Sequence, residues 1–504
     1  MHRRLTRREL VVAASVAGAY AFVPKAFGRI VERPAEPGPG RFLDGVASGE
    51  PSHDAVTFWS RLSTERPVSG ARLIVAADEG LSRTVATVVV PTSRSVDGTL
   101  KCRVNGLEPG RHYWYVWEGT EDVSPVGRTK TAPAPDSRAA VAVGFSSCQN
   151  YADGYFNAHR DAAGTDLDLY VFLGDYTYEY DEPEGLRPDV ASTDLHTYRS
   201  KLQLYRQDPD LRELHRLHPV VHIWDDHEVA DNYSDGDPAP SALQRDAGYR
   251  ASFEWLPRMA MPSERTRIYK SLKLGRTAEL ALLDQRQYRT ASPKSMLGRP
   301  QLDWLKSSLS ASDARWKLIG NQAMFTPLRV ANAIPVNTDQ WDGYVDERAE
   351  LEAHIAGGID DVVFLTGDIH LFVAADTRVL PSQSFATEYV GGSVTSTGLP
   401  DALEGIDEPV IIANNLNMRY FDGTAHGWAR AEIGDAGMDV EYRASDITTK
   451  GAPARTLARF HQTAGENRVE SAGSSAAPKA RGSAAPRKRT LQKAIQRDLN
   501  RRTR

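Results

Sequence analysis

The stretch HPVVHIWDDHEVADN, residues 218–232, joins a short apolar run to a dense cluster of acidic side chains. The run from Val220 to Trp224 is typical of a buried strand, and four carboxylates follow it within residues 225–231. Carboxylates so close together repel one another, and burying them without a positive partner is very costly. The cluster therefore lies either on a solvated surface or around a cation, and the stretch alone leaves both possibilities open.

Three further apolar runs end in the same way. AVAVGF leads to Cys148, LYVFLG leads to Asp175 and Tyr178, and VVFLTG leads to Asp368 and His370. In α/β proteins, ligands bind at the carboxyl ends of the strands, where the ends of parallel strands meet at one edge of the sheet. Four polar clusters at four strand ends predict one common site, which favours the cation over the solvated surface.

The residue types at these strand ends indicate which ions could bind. Thiolate, phenolate and imidazole groups suit a transition metal such as iron, whereas carboxylate oxygens suit calcium, magnesium or manganese. Asp368 and His370 are two residues apart, so an extended backbone points both side chains to one side. The mixture predicts two kinds of metal side by side.

The pattern of the chain changes after residue 135. Residues 41–135 contain short β-branched and aromatic strands separated by Gly, Pro, Asp and Ser, which predicts an all-β sandwich of the fibronectin or immunoglobulin type. A linker at 130–137 follows, and from 138 to 445 strands alternate with helical stretches, as in an α/β domain. We therefore expect an N-terminal sandwich followed by an α/β domain.

The N-terminal segment, residues 1–28, predicts export. A basic start with Arg7-Arg8 precedes an apolar run of about twelve residues, which is too short to span a bilayer. The arginine pair resembles a twin-arginine signal, which would make the twin-arginine export machinery a partner. An ordinary secretory signal is the alternative. No other segment is apolar and long enough to predict a membrane span.

The charge is unevenly distributed along the chain. In residues 465–504, eleven Lys and Arg face three Asp and Glu, although the whole chain carries a net charge of −5. We expect this stretch to be a disordered or marginally helical tail, either simply solvated or touching an anionic surface or polymer. The body of the chain is correspondingly acidic, which argues against a nucleic-acid-binding face and is compatible with bound cations.

Several of these motifs, taken in order, resemble those of the PhoD-type alkaline phosphatases. The resemblance covers residues 41 to about 430, and it rests on the successive motifs FLDGVASGEPSHDAVTFWSRL, GFSSCQ, FLGDYTYEY, WDDHEVADN, LLDQRQYR, MLGRPQLDWL and FLTGDIH. The core of that family is similar to the purple acid phosphatases and the wider calcineurin-like metallophosphoesterases. The resemblance implies a β-sheet sandwich flanked by helices in the second domain.

The family resemblance also implies roles for individual residues. Ferric iron would be held by Cys148, Asp175, Tyr178 and His370. Asp175 would also bridge to a second metal, expected to be calcium, with manganese or magnesium as alternatives. That second site would use Asp226, Asn232 and Asp368, with Asp225 as a further candidate. His227 would contact the phosphate or protonate the leaving group, and Arg286 would either contact the substrate phosphate or fix a carboxylate such as Asp284.

The expected reaction is hydrolysis of phosphate monoesters or diesters by an exported enzyme. Two neighbouring metals would lower the pKa of a bound water, and the resulting hydroxide would attack phosphorus in line. A phospholipase D-like or teichoic-polymer phosphodiesterase is an alternative, and a non-catalytic surface-binding protein is an alternative of another class. The sequence leaves the natural substrate and the oligomeric state open.

Two further interpretations compete with the metal site. Cys148 could form a disulfide with Cys102, although Cys102 lies in the predicted sandwich and Cys148 lies among other candidate ligands. Ser146 or Ser147 could be a nucleophile, although no nucleophile elbow surrounds them. Glu228 and Asp231 are expected to be structural or solvated.

Overall fold

The computed structural model describes residues 36–234, 239–261, 263–330, 334–380, 383–398 and 408–474. The predicted signal segment, residues 1–28, lies outside the described residues, and so does the predicted tail from residue 475 onward. Within the described ranges, no helix is both long and apolar enough to cross a membrane.

Two antiparallel sheets form the N-terminal part. Their strands are β1 (Val46–Gly49), β2 (Ala55–Arg61), β3 (Gly70–Ala76), β4 (Thr84–Pro91), β5 (Thr99–Asn105), β6 (His112–Glu118) and β7 (Gly127–Lys130). One sheet has the order β1-β2-β5 and the other the order β4-β3-β6-β7. Alternate residues point inward, so Phe58 and Cys102 of one sheet share an apolar core with Leu73, Tyr115 and Trp117 of the other.

A seven-stranded mixed sheet opens the second part. Its strands are β8 (Val141–Ser146), β9 (Leu169–Leu173), β10 (Val220–Ile223), β22 (Gly427–Ile433), β23 (Gly437–Ala444), β24 (Arg455–Thr463) and β25 (Glu470–Ser474). The order is β10-β9-β8-β22-β23-β24-β25. Strands β8, β9 and β10 are parallel, and β22 to β25 continue the sheet as antiparallel neighbours.

A second seven-stranded sheet packs against the first. Its strands are β11 (Lys270–Leu274), β12 (Ala278–Leu282), β15 (Trp316–Asn321), β18 (Val362–Thr366), β19 (Phe372–Leu380), β20 (Gln383–Gly391) and β21 (Met418–Asp422). The order is β11-β12-β15-β18-β20-β19-β21, with β12, β15, β18 and β20 parallel. Two small hairpins complete the strands: β13 (Thr290–Ala291) with β14 (Lys294–Ser295), and β16 (Arg329–Val330) with β17 (Ile334–Pro335).

Helices cover the outer faces of the two large sheets. They are α1 (Asn157–Ala163), α2 (Leu195–Tyr205), α3 (Pro209–Leu217), α4 (Ala242–Trp255), α5 (Gly298–Ala311), α6 (Val345–Ala356) and α7 (Glu408–Asn414). Helices α1 to α4 pack on the first sheet, and α5 and α6 pack on the second. Between the sheets lies one large apolar core, which includes Val171 and Tyr442 from the first sheet and Leu318 and Val363 from the second.

Helix α3 illustrates how the sequence sets local structure. Asp208 accepts hydrogen bonds from the backbone N–H groups of Asp210 and Leu211, at 2.9 and 3.1 Å, and Pro209 occupies the first helical position. An N-cap aspartate satisfies free donors at a helix start, and proline has no N–H to lose there. The helix thus begins at a defined residue and leads into β10 and the acidic stretch.

The second part extends further along the chain than the sequence suggested. Strands β24 and β25 belong to the first large sheet, so this sheet runs past residue 445 to Ser474. The stretch 465–474, which the sequence assigned to the tail, accordingly contains an ordered edge strand. The boundary at 445 followed the last recognisable motif, and neither β24 nor β25 carries one.

Candidate metal centre

The carboxyl ends of the parallel strands of both sheets meet at one place. Gly174 allows the end of β9 to approach β10, because a Cβ there would lie 2.6 Å from the Cβ of Asp225. The side-chain amide of Gln322, after β15, donates hydrogen bonds to the backbone carbonyls of Trp224 and Leu283 at 2.8 and 2.9 Å. The backbone carbonyl of Gln322 accepts a hydrogen bond from the Gly367 N–H at 3.0 Å. These contacts bring the predicted strand ends together across the two sheets.

Four predicted iron ligands lie together, three of them buried and His370 half-buried. Ligand atoms of Cys148, Asp175 and His370 all lie within 4.8 Å of one another. The phenol oxygen of Tyr178 lies 3.2 Å from Asp175 Oδ2 and 3.4 Å from His370 Nε2, and Cys148 Sγ lies 3.5 Å from the same Oδ2. Thiol, carboxylate, phenol and imidazole therefore converge on one point.

Two further groups adjoin the first and share members with it. Ligand atoms of Asp175, Asp226 and His227 lie within 4.8 Å of one another, and so do those of Asp225, Asp226 and Asp368. Asp175 belongs to the first and second groups, and Asp226 to the second and third. The groups are thus linked through Asp175, for which the family resemblance implied a bridging role, and through Asp226.

Oxygen atoms in this cluster lack hydrogen-bond partners. Oδ1 of Asp175, Oδ2 of Asp225 and Oδ1 of Asp226 are buried and accept no hydrogen bond. Burial first, and then the carboxylates of Asp226, Asp225 and Glu228, raise the pKa of Asp175 well above its ordinary value, although His227 opposes the shift. Buried carboxylate oxygens that accept no hydrogen bond are what a cation would satisfy, so the residues present fit a metal centre.

Strained backbone marks the same residues. Nine non-glycine residues among the described ranges have a positive φ, and five of them are predicted ligands. These five are Cys148 (58°), Asp175 (56°), Asn232 (54°), Asp368 (61°) and His370 (59°). Left-handed backbone costs free energy in an L-residue and persists where the surrounding structure holds it, which occurs most often at functional sites.

Arg286 lies within the carboxylate cluster and is fully buried. Its Nε bonds to Asp225, its Nη1 donates to Asp339 at 2.8 Å, and its Nη2 lies 3.5 Å from Asp226 Oδ1 and 3.6 Å from Asp368 Oδ1. Asp284, the partner suggested by the sequence, instead accepts a bond from the backbone N–H of Arg286 at 3.2 Å. The guanidinium therefore fixes carboxylates of the cluster.

His227 is held by a carboxylate that sequence reasoning missed. Its Nδ1 donates to Oε2 of Glu179 at 2.9 Å, and both side chains are largely buried. Burial lowers the pKa of His227, but Asp226, Glu179 and Asp175 together outweigh it and raise the pKa well above its ordinary value. The ring also lies against that of Tyr178, with the ring centroids 4.2 Å apart.

Asn232 approaches the cluster through its backbone. Its N–H donates to Asp226 Oδ2 at 2.6 Å, whereas its side-chain amide donates to Asp231 at 2.9 Å and is exposed. Among the described contacts, the side chain of Asn232 makes none with the other predicted ligands. The structure thus connects Asn232 to the site as a support for Asp226.

Glu228 supports two of the strand ends that form the site. Its carboxylate accepts hydrogen bonds from the backbone N–H groups of Asp175 (3.1 Å), Tyr176 (2.7 Å) and Asp225 (2.9 Å). The expectation that Glu228 is structural agrees with these contacts. Gln340 was not foreseen, and it donates to Asp368 Oδ2 at 2.8 Å from a loop that carries no motif.

The structure excludes the disulfide alternative and argues against a serine nucleophile. Cys102 and Cys148 are both free and buried, and Cys102 lies in the core between the two N-terminal sheets. Ser146 and Ser147 are completely buried, and their hydroxyls are bonded to the Tyr170 hydroxyl (2.7 Å) and the Gly392 carbonyl (3.2 Å). The strand end of β8 therefore offers the thiol of Cys148.

Two family models of phosphatases together match most of the chain. Residues 142–442 match the PhoD-like phosphatase family, and residues 29–133 match the PhoD-like phosphatase N-terminal domain. The chain belongs to the PhoD-like phosphatase family, which confirms the resemblance found in the motifs.

Individual relatives agree with this assignment. Alkaline phosphatase D of Bacillus subtilis (strain 168) is 31% identical over 470 residues, which cover 83% of this chain and 80% of that protein. A solved structure of PhoD superposes with a TM-score of 0.80 at 28% identity, over 88% of this chain and 94% of that one. Purple acid phosphatase PPD1 from yellow lupin (Lupinus luteus) shares the fold, with a TM-score of 0.56 at 12% identity over 82% and 74% of the chains.

Proposed function

We propose that this protein is an exported, metal-dependent phosphoesterase that hydrolyses phosphate monoesters, diesters or both. The observation that carries the proposal is the set of three ligand groups joined through Asp175 and Asp226, with buried carboxylate oxygens that accept no hydrogen bond. Its relationship to alkaline phosphatase D supports the reaction class. The ligand groups also favour an enzyme over a non-catalytic surface-binding protein, because three of them adjoin one another in one cluster.

Two kinds of ion fit the cluster. Cys148, Asp175, Tyr178 and His370 would hold ferric iron, since thiolate and phenolate are ligands for a transition metal of this kind. The carboxylates of Asp225, Asp226 and Asp368 would hold calcium, or manganese or magnesium, which prefer oxygen ligands. The pKa of His370 is lowered to about 3, mainly by burial, so the imidazole is neutral and can act as a ligand.

The protein's own residues divide the remaining work. When bound, the metals would polarise the ester and lower the pKa of a water held at the site. His227, with Nδ1 bonded to Glu179, keeps its other nitrogen for the substrate and can deliver a proton to the leaving oxygen. Arg286 holds Asp225 in place and balances part of the negative charge of the cluster.

We also propose the domain organisation and the export route. The strand orders β1-β2-β5 and β4-β3-β6-β7 support a fibronectin- or immunoglobulin-like sandwich within residues 41–135, because the chain crosses between the sheets as in a Greek key. The catalytic domain predicted for 138–445 then extends to Ser474. The basic start with Arg7-Arg8 supports a twin-arginine signal in residues 1–28.

The experiment is a metal analysis combined with an assay. The full chain is purified after export, its iron and calcium are measured per polypeptide, and hydrolysis of p-nitrophenyl phosphate and bis-p-nitrophenyl phosphate is followed. We expect iron and a second metal together with hydrolysis of at least one ester, and the ratio of the two rates defines the substrate class. A protein that holds neither metal and hydrolyses neither ester after metal addition would overturn the proposal.

A further inference from the structure

The segment 393–398, SVTSTG, follows β20 and lies outside every motif that pointed to the site. Its backbone packs directly on the strand end of β8. The N–H groups of Thr395 and Ser396 both donate to the carbonyl of Cys148, at 3.3 and 3.2 Å. Asn150 adds a further tie, because its carbonyl accepts a bond from the Thr395 hydroxyl at 2.7 Å. The segment is therefore fixed to the loop that carries the thiol ligand.

Ser396 contacts a second member of the same ligand group. Its hydroxyl donates to the phenol oxygen of Tyr178 at 2.7 Å, and both side chains are buried. The backbone N–H of Asn150 donates to Ser396 Oγ at 3.0 Å. The Tyr178 hydroxyl itself donates to Asp175 Oδ2 at 3.2 Å, so its oxygen is left to accept the bond from Ser396.

Thr397 contacts a third member. Its backbone hydrogen-bonds to the imidazole of His370, whose Nε2 lies 3.4 Å from the Tyr178 oxygen. Thr397 is itself held by Asp153, whose Oδ2 accepts bonds from the Thr397 N–H at 3.0 Å and from its hydroxyl at 3.3 Å. Three consecutive residues, 395–397, thus make hydrogen bonds with three of the four residues assigned to iron.

We infer that Ser396 is a positioning residue that acts on the iron site through Tyr178, an inference that rests on the proposed function. A hydrogen bond donated to a phenolate oxygen withdraws electron density from it and makes it a weaker donor to the metal. Hydrogen bonds from residues behind the ligands orient those ligands and tune the metal they hold. Ser396 therefore sets the donor strength of Tyr178 as well as its position.

The test is the visible absorption of the iron-loaded protein, because a phenolate bound to ferric iron gives a charge-transfer band. We compare the wild type with Ser396→Ala, which lacks the donor, and Ser396→Cys, which has a weaker one. Thr395→Val is the matched control, since it removes a buried hydroxyl bond from the same segment without contact with Tyr178. Removing the donor raises the energy of the phenolate electrons, so the band should move to longer wavelength.

The expected order of band positions is Ser396→Ala at the longest wavelength, Ser396→Cys intermediate, and Thr395→Val at the wild-type position. The iron reduction potential should fall in the same order, because a stronger phenolate donor stabilises the ferric state. Iron-loaded Ser396 variants with an unshifted band, or a Thr395→Val band shifted as far as theirs, would overturn the inference. Absence of iron and of a band in the wild type would instead overturn the proposed function. If Ser396→Ala does not fold, Ser396→Cys carries the comparison.

Discussion

The two cysteines of this chain are both buried and both free, yet their surroundings differ in kind. Cys102 lies within β5 in the apolar core between the two N-terminal sheets, with its sulfur 3.7 Å from the Arg103 carbonyl oxygen. Cys148 follows β8, with its sulfur 3.0 Å from Ser147 Oγ and 3.5 Å from Asp175 Oδ2. One thiol is packed among hydrocarbon groups, and the other among candidate metal ligands.

Burial alone does not distinguish these two places. Burial raises the pKa of Cys102 to about 12, and it is also the largest cause of the raised pKa of Cys148. What separates them is the neighbourhood, because Asp175 and Asp368 raise the pKa of Cys148 further and its backbone has a φ of +58°. Cys148 is therefore distinguished from Cys102 by the carboxylates and the left-handed backbone at its position.

The largest effect should come from the carboxylate shared by two ligand groups. Asp175→Asn keeps the shape of the side chain but removes its charge, so we expect loss of both metals and a rate no higher than that of the buffer. Asp376→Asn is the matched control, because Asp376 on β19 is equally buried but pairs with Arg378 and with Arg419 of β21. Elemental analysis and ester hydrolysis measure both variants, and metal retention by folded Asp175→Asn would contradict the shared role.

The cysteine pair itself gives the next prediction. Cys148→Ser should lose iron and remain folded, because serine replaces the thiolate with a poor ligand in a polar site. Cys102→Ser should keep iron but lose about 1–3 kcal/mol of unfolding free energy, since a hydroxyl is left without a partner in an apolar core. Iron content and urea denaturation separate the two losses. Equal iron content in both variants would contradict the assignment of Cys148, and not Cys102, as an iron ligand.

A smaller effect is expected where a histidine depends on one carboxylate. His227→Asn should lower kcat by about 10²–10⁴-fold with metals retained, as for loss of a general acid. Glu179→Gln should lower kcat less and shift the pH profile, because the His227 ring remains but loses its charged partner. Steady-state kinetics across pH checks both variants, and an unchanged profile in Glu179→Gln would mean that Glu179 does not act through His227.

The smallest effect should come from Glu228, whose carboxylate accepts hydrogen bonds from backbone N–H groups beside the ligands. Glu228→Gln replaces an acceptor of three N–H groups, so we expect metal affinity to fall about 10–100-fold. Glu388 on β20 offers a matched control, since it accepts the N–H groups of Phe325 and Thr326, in the loop after β15, at 2.8 and 2.7 Å. Metal titration of Glu388→Gln should give wild-type affinity, and equal losses in both variants would point to general destabilisation.

Much of the fold and of the cluster could be predicted, because both rest on short-range patterns. Apolar runs that stop at ligand-type residues identified β8, β9, β10 and β18, and parallel strands bring such ends together. The change from short strands to alternating strands and helices separated the two parts of the chain. The position of Cys148, Asp175, Asp226 and His370 in one cluster follows from these two facts.

Other parts depend on contacts that no local pattern records. Asn232 has a left-handed backbone, its N–H donates to Asp226, and its side chain is exposed. Glu179 and Gln340 reach the site from loops whose paths are set by the packing of both sheets. Ser396 could not be identified from the sequence among the other loop serines, because the proposed role depends on β20 ending beside β8.

The most direct measurement for the central claim is anomalous diffraction from a crystal of the native protein, collected on both sides of the iron absorption edge. We predict a peak within bonding distance of Cys148 Sγ, Tyr178 Oη and His370 Nε2 that weakens sharply below the edge. A second density peak should lie beside it among the carboxylates of Asp225, Asp226 and Asp368. A map with no iron signal between Cys148 and His370 would contradict the account.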